Sequence, residues 1–284
     1  LYERREPYKL GSVPQGGLFI TAGADVQKDR IEISVWAWGR GKESWLVEHR
    51  VLEGDTGRSA VWIKLSEFLT ESWPHENGFD LSLRRFAIDS GYATQEVYSW
   101  ARKQSASLVM AVKGVQRGAA LVGLPNTVEV TADGKKHKRG LRVRPVTGGI
   151  AKLELFNNLR KTPPTDESGD PYPAGYVHLP QVDEEYLKQL CSEQLVTSKN
   201  RRGYAVREWQ KTRERNEALD CYVYARAAAA VEGLDRFSDR HWRELERSLG
   251  IDEPAIPDTE PETKQTEPAR KPKARRARSK GVKL

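Results

Sequence analysis

LFITAGADVQ, residues 18–27, is the stretch whose reading decides the fold. Leu18, Phe19, Ile20, Thr21 and Ala22 form an apolar or β-branched run without a charge. A short run of this kind with no polar alternation reads as a strand buried on both faces. It then delivers one carboxylate, Asp25, just past Gly23 and Ala24. A charge at the end of a buried strand costs desolvation energy unless something pairs with it. The rest of the chain has to supply what Asp25 meets.

Working outward, residues 27–30 read as a turn. Residues 31–38 alternate, with Ile31, Ile33, Val35 and Ala37 on one face and Glu32, Ser34, Trp36 and Trp38 on the other, which predicts a strand. A turn at residues 39–42 leads to a third strand over residues 44–51. Three sequential strands joined by short turns make an antiparallel meander. A helix follows over residues 59–72, with Val61, Trp62, Leu65, Phe68 and Leu69 on one stripe. Residues 83–88 form a strand ending at Asp89-Ser90-Gly91, residues 94–104 a helix, and residues 108–112 a strand ending at Lys113-Gly114. Strand–helix–strand–helix–strand implies parallel strands with crossovers. The expected fold class is α/β: a mixed sheet of five or more strands, a meander followed by α/β units, flanked by helices.

Residues 115–140 are polar and Gly-rich and read as an exposed loop or ribbon. Residues 141–146 read as a strand and 149–159 as a helix. Residues 161–175 form a Pro/Gly/Asp loop, 176–179 a short extended piece, and Asp183 caps a helix through Leu190. Residues 193–197 and 204–209 look like a hairpin. Residues 216–231 are a strong helix by propensity, and residues 237–249 a further amphipathic one. The Pro-, Glu- and Lys-rich composition from residue 251 reads as disordered.

The chain has 284 residues, enough for a substantial core. It opens on Leu1 rather than Met, as expected of a fragment or processed product. No stretch approaches the ~18 consecutive apolar residues of a membrane helix, and residues 2–9 do not resemble a signal peptide. Cys191 and Cys221 offer neither metal spacing nor a disulfide framework. Net charge is +7. Residues 251–284 hold nine Lys or Arg against six acids, a surplus of +3 that leaves +4 for the body. The body is only mildly basic, so charge alone does not make it a nucleic-acid binder.

Asp89 repeats the pattern of Asp25, an apolar strand (Phe86, Ala87, Ile88) ending in a carboxylate. Glu217 and Asp220 stand three apart on the Ala-rich helix and share one face. Hard oxygen ligands at element ends suit Mg²⁺ or Mn²⁺. Two such ions, roughly 3.5–4 Å apart, stabilise both the attacking and the leaving oxygen of an in-line phosphoryl displacement. Taken singly, each acid also fits an N-cap, a turn or a solvated helix face.

Several blocks in series now carry a resemblance. AGADVQKDRIEISVWAWGRGKESWLVEHRVLEGD, FAIDSGYATQEVYSWAR, VKG, GYVHLP and RNEALDCYVYARAA resemble, in order over residues 17–230, the large terminase subunit of tailed phages, lambda-like GpA group. The resemblance implies the C-terminal nuclease domain of that subunit and an RNase H-like fold. It implies metal-binding acids at Asp25, Asp89 and Asp220, with Glu217 a further candidate, and two Mg²⁺ or Mn²⁺ ions. Cleavage would leave a 3′-OH and would cut concatemeric double-stranded viral DNA in the host cytoplasm. Implied partners are the terminase small subunit, the portal or procapsid, and a packaging ATPase domain N-terminal in the full-length protein. No GxxxxGK[ST] phosphate loop is present in this sequence, so no ATP hydrolysis is expected of it. Residues 1–15 would be the tether from the ATPase half, residues 16–250 the nuclease body and residues 251–284 an acidic, Pro-rich then basic tail. The alternatives are a non-catalytic docking module for DNA or portal, and another RNase H-like nuclease such as a resolvase.

Other groups have two readings each. Lys113 either contacts the scissile phosphate or is a solvated strand end. Lys135, Lys136, Lys138 and Arg139 either grip DNA backbone or are solvated. Arg201, Arg202 and Arg207, continued by Lys211, Arg213 and Arg215, form a second possible phosphate track; such contacts give affinity without sequence information. The tail from residue 269 either binds DNA or docks on an acidic partner, or is a solubilising end. The five histidines show no cluster in sequence, and His178 reads as packing. Trp36, Trp38, Trp45, Trp62, Trp73 and Trp100 read as core or rim.

Overall fold

The expected meander is present in the computed structural model, which describes residues 1–132, 135–165, 170–199 and 201–251. Strand β1 (Phe19–Val26) pairs antiparallel with β2 (Arg30–Trp38), and β2 with β3 (Ser44–Glu53). Helix α1 (Ser59–Phe68) and a short strand β4 (Ser72–Pro74) follow, then β5 (Asp80–Asp89), α2 (Thr94–Lys103) and β6 (Val109–Val115). β5 runs parallel to β1 on the side away from β2, with Gly23 opposite Ala87 and Ala24 opposite Ile88. β6 runs parallel to β5. A meander on one side of β1 and parallel strands on the other is the RNase H-like arrangement.

The chain continues through β7 (Asn126–Ala132), β8 (Lys135–Thr147), α3 (Gly148–Asn158), β9 (Val177–His178), α4 (Glu184–Leu190), β10 (Glu193–Lys199), β11 (Ala205–Lys211), α5 (Glu217–Glu232) and α6 (Asp239–Ser248). Among the described residues the main sheet runs β7-β8-β6-β5-β1-β2-β3-β9, with β4 beside β5. β10 and β11 form a separate hairpin, as expected. The stretch read as an exposed loop or ribbon is more ordered than that. β7 and β8 pair as an antiparallel hairpin, and the strand expected over residues 141–146 is the second half of β8. Val130, fully buried, packs where Gly140 leaves room, since a Cβ there would stand 2.7 Å from the Val130 side chain. One such apolar contact anchors a ribbon too polar to show a period.

β1 is buried along its whole length, but its faces differ. Ile20, Ala22, Ala24 and Val26 join the core with Val61, Trp62, Phe68, Val97 and Trp100 of α1 and α2. Phe19, Thr21 and Gly23 face the helices on the other side. Gly23 is the closest approach: a Cβ there would lie 2.1 Å from the Cys221 carbonyl oxygen and 2.4 Å from the Ala225 nitrogen. The missing side chain lets α5 lie directly on β1. Thr21 Oγ1 donates to the Ala225 carbonyl at 2.8 Å and accepts from Trp38 Nε1 at 2.8 Å. Both faces of β2 are buried as well. Trp36 and Trp38 pack against Tyr222 of α5, and Glu32 is completely enclosed. The other tryptophans read as core or rim are also buried.

Residues 1–15 lie on the body. The Glu6 amide donates to Leu179 O at 2.8 Å, the Val13 amide to Pro74 O at 2.8 Å, and Val13 is fully buried. His178 stacks on Trp45 at 4.6 Å between ring centroids, and its imidazole joins two acids, with Nδ1 2.9 Å from Glu6 and Nε2 3.2 Å from Glu43. No helix among the described residues is long and apolar enough to cross a membrane. The reading of a basic tail falls on residues 252–284, outside the described residues.

Candidate active site

With a side-chain period of two, Asp25 falls on the α5 side of β1, one strand position beyond Ala24. Asp89 ends the neighbouring parallel strand β5, and Asp220 stands in the first turn of α5. Asp25 and Asp89 are buried, whereas the Asp220 side chain keeps 25 % of its surface open. Asp25 Oδ2 accepts from Gln27 Nε2 at 2.6 Å. Asp89 Oδ2 accepts from the Gly91 amide at 2.9 Å, and Tyr224 of α5 lies on the same side. Asp220 Oδ2 accepts from Asn216 Nδ2 at 2.8 Å. Ser90 Oγ donates to the Val112 carbonyl at 2.6 Å and so fixes the turn, not an acid.

The three acids feel one another. Burial, then the charge of Asp220, pushes Asp25 up to about 7, with Asp89 and Glu217 adding to the rise against the Gln27 hydrogen bond. Burial raises Asp89, opposed by its Gly91 and Tyr224 donors and by the charge of Lys113. Burial raises Asp220 too; Lys152 opposes it and Glu193 adds to it. Among the described residues no group of three or more His, Cys, Asp or Glu side chains is arranged to hold a metal ion. The donor chemistry fits divalent hard cations: buried carboxylate oxygens from three elements, mutually repelling, with an open side at Asp220.

Glu193, at the start of β10, is the acid that the sequence reading passed over. Its Oε1 accepts from Lys152 Nζ at 2.7 Å and from Asn216 Nδ2 at 3.2 Å. Lys152 Nζ also lies 3.5 Å from Asp220 Oδ1. A cavity of about 420 Å³ opens beside these groups, lined among others by Arg117, Lys152, Glu193, Arg207, Trp209 and Asp220. Asn216 and Tyr224 could have been found, since each stands four residues from Asp220 on one helix face. Lys152 and Glu193 carry no sequence signal, being 41 residues apart.

Glu217 reaches Asp25 only through its field. Its carboxylate is held by Arg30 at 2.6 Å, with Arg215 at 3.5 Å. Arg30 and Arg215 also grip Glu32, each at 2.6 Å. Burial would raise Glu32, but His49, Arg30 and Arg215 outweigh it and hold the carboxyl at about 2. This network ties β2 to the start of α5, the turn that presents Asp220.

The basic candidates divide. Lys113 is exposed, one residue beyond the Val112 that pairs with Asp89. Arg207 lines the cavity beside Asp220. Arg201 and Arg202 are exposed at the tip of the β10–β11 hairpin, and Lys138 is exposed on β8, the strand to which Lys135, Lys136 and Arg139 also belong. Arg213 and Arg215, read as a continuation of the phosphate track, instead pair with Glu185 and with Glu32.

Among known proteins, the chain is similar to viral endonuclease domains. The family described as terminase large subunit gpA, endonuclease domain, matches residues 1–242, and the chain belongs to that family. It is 32 % identical over 235 residues to the terminase large subunit of Escherichia phage lambda, covering 81 % of this chain and 34 % of that protein. It is 29 % identical over 223 residues to the terminase large subunit of Enterobacteria phage P21, covering 78 % and 33 %. The chain thus spans about a third of the length of these relatives. Two solved structures are similar in outline. The large terminase nuclease from thermophilic phage G20c is 14 % identical, with 74 % of this chain and 81 % of that one covered and a TM-score of 0.36. The large terminase nuclease domain from bacteriophage SPP1 with bound Mn is 9 % identical, with 79 % and 96 % covered and a TM-score of 0.36.

Proposed function

We propose that this domain is a metal-dependent endodeoxyribonuclease that cuts concatemeric viral DNA during packaging in the host cytoplasm. The observation that supports it best is the convergence of Asp25, Asp89 and Asp220 from two parallel strands and one helix. These three would hold two Mg²⁺ or Mn²⁺ ions. Divalent ions so held supply a nucleophilic water at neutral pH and offset charge on the attacking and leaving oxygens. The chain's own groups orient the ligands: Gln27 sets Asp25, the Gly91 amide sets Asp89, and Asn216 sets Asp220. Lys113 and Arg207 would contact backbone phosphates, with Arg201, Arg202, Lys135, Lys136, Lys138 and Arg139 as the wider DNA track.

In this reading residues 1–15 lead in from a packaging ATPase, residues 16–250 cut, and residues 251–284 engage the procapsid. The small subunit supplies the choice of site, because phosphate contacts carry no sequence information. The chain itself hydrolyses no ATP.

Nicking of supercoiled plasmid tests the proposal. Cleavage is expected with Mn²⁺ or Mg²⁺ and is abolished by chelator. Asp25→Ala, Asp89→Ala and Asp220→Ala are each expected to lower the rate by about 10²-fold or more. Full activity in all three variants overturns the assignment.

A further inference from the structure

The three acids are not equivalent. Asp25 accepts from a glutamine amide and Asp89 from a backbone amide, while the charge of exposed Lys113 acts on Asp89 only through its field. Asp220 stands beside a fixed cation. Lys152, on the first turns of α3, has only 13 % of its side chain exposed, and its ammonium is stationed 2.7 Å from Glu193 and 3.5 Å from Asp220. Glu193 and Asp220 are further bound together by Asn216, whose Nδ2 serves both and whose Oδ1 accepts from Lys211 Nζ at 2.7 Å. Two carboxylates held this close, with one ammonium between them, form a pair whose charge is already partly neutralised from within the chain. A divalent ion approaching Asp220 meets that ammonium, and like charges a few ångströms apart repel.

We infer that Lys152 is a tethered counter-cation that occupies the Asp220 side of the site, so that a divalent ion binds there only against it, with Glu193 as the additional carboxylate it guards. The free protein then loads its ions unequally, first at Asp25 and Asp89, and only weakly at Asp220. Lys152 also lines the cavity beside Asp220, together with Arg117 and Arg207. A DNA phosphate entering there offers the ammonium another anion, and its departure opens Asp220 and Glu193 to the second ion. Metal loading is thereby tied to the presence of substrate. The inference rests on the proposed reading of Asp220 as a metal ligand.

Calorimetric titration of Mn²⁺ into the full chain without DNA tests it, because it reads binding rather than cleavage. Lys152→Gln removes the charge while keeping a donor toward Glu193, and Lys152→Arg keeps the charge. Lys152→Gln is expected to gain a second Mn²⁺, or to bind the weaker ion roughly tenfold more tightly. Lys152→Arg is expected to match wild type, and Lys152→Gln combined with Glu193→Gln to lose much of the gain. Unchanged stoichiometry and affinity in Lys152→Gln overturns the tethered cation while leaving the metal site intact. Absence of Mn²⁺ binding in wild type and Lys152→Gln alike overturns the metal reading and this inference with it. Melting curves of each variant confirm that binding is measured on folded protein.

Discussion

Asp25 is the residue on which the cost of the site is concentrated, and pH exposes it. An unfolded aspartate titrates near ~3.9, whereas folded Asp25 is pushed up to about 7 by burial and by Asp220. The folded state therefore holds the extra proton between those values. Its stability is full below about pH 4 and is lost as pH rises through about 7. Asp89 and Asp220 shift in the same direction. In chelator, Tm is expected to fall by roughly 4–8 °C between pH 5 and pH 8. Asp25→Asn should remove much of that fall and Mn²⁺ should reverse it; a flat thermal-melt profile would contradict the burial argument. Asp25, Asp89 and Asp220 were legible because each closes an apolar run or sits on an apolar helix. Glu32 was legible as a strand residue but not as a buried ion pair, since Arg215 is 183 residues away.

At the scale of elements, the site depends on how closely α5 approaches β1. The atoms that would meet a Gly23 methyl are backbone atoms of α5, which cannot swing aside. Gly23→Ala is therefore expected to cost about 3 kcal/mol and to push Asp220 away from Asp25. Cleavage should be lost even where denaturant titration shows the variant folded; wild-type cleavage would mean that the contact does not position the acid. The sequence showed both elements, the strand by its apolar run and the helix by its propensity. It did not show that Gly23 is their contact point, because a glycine before a charge reads equally as a turn. The β7–β8 hairpin was hidden for another reason. Thr127, Glu129, Thr131 and Lys138 are exposed to water, and the buried valines Val130 and Val143 hold it down.

Over the molecule as a whole, residues 1–15 form a docked strap rather than a loose lead. Glu6 and Glu43 clasp His178 from both sides. Burial alone would lower the imidazole, but the hydrogen bonds to Glu43 and Glu6 outweigh it and raise it above its ordinary value. The clasp is thus complete below about pH 6.5 and loosens as pH rises through the raised value. Tryptic cutting at Arg4, Arg5 or Lys9, normalised to a free peptide, is expected to quicken several-fold between pH 6.5 and pH 8.5. Glu6→Gln should be cut fast at both; equal rates in wild type would rule out the clasp. The paired charges were invisible in sequence, because Glu6 and His178 lie 172 residues apart.

The contact between Thr21 and Ala225 spans 204 residues. A chain still on the ribosome therefore displays its acidic strand ends long before it owns the helix that completes them. Contacts of such separation form late and slowly. Under the proposed function the order of synthesis acts as a safeguard: a half-made copy lacks the helix that carries Asp220, and any hazard to nearby DNA begins only when that helix has emerged.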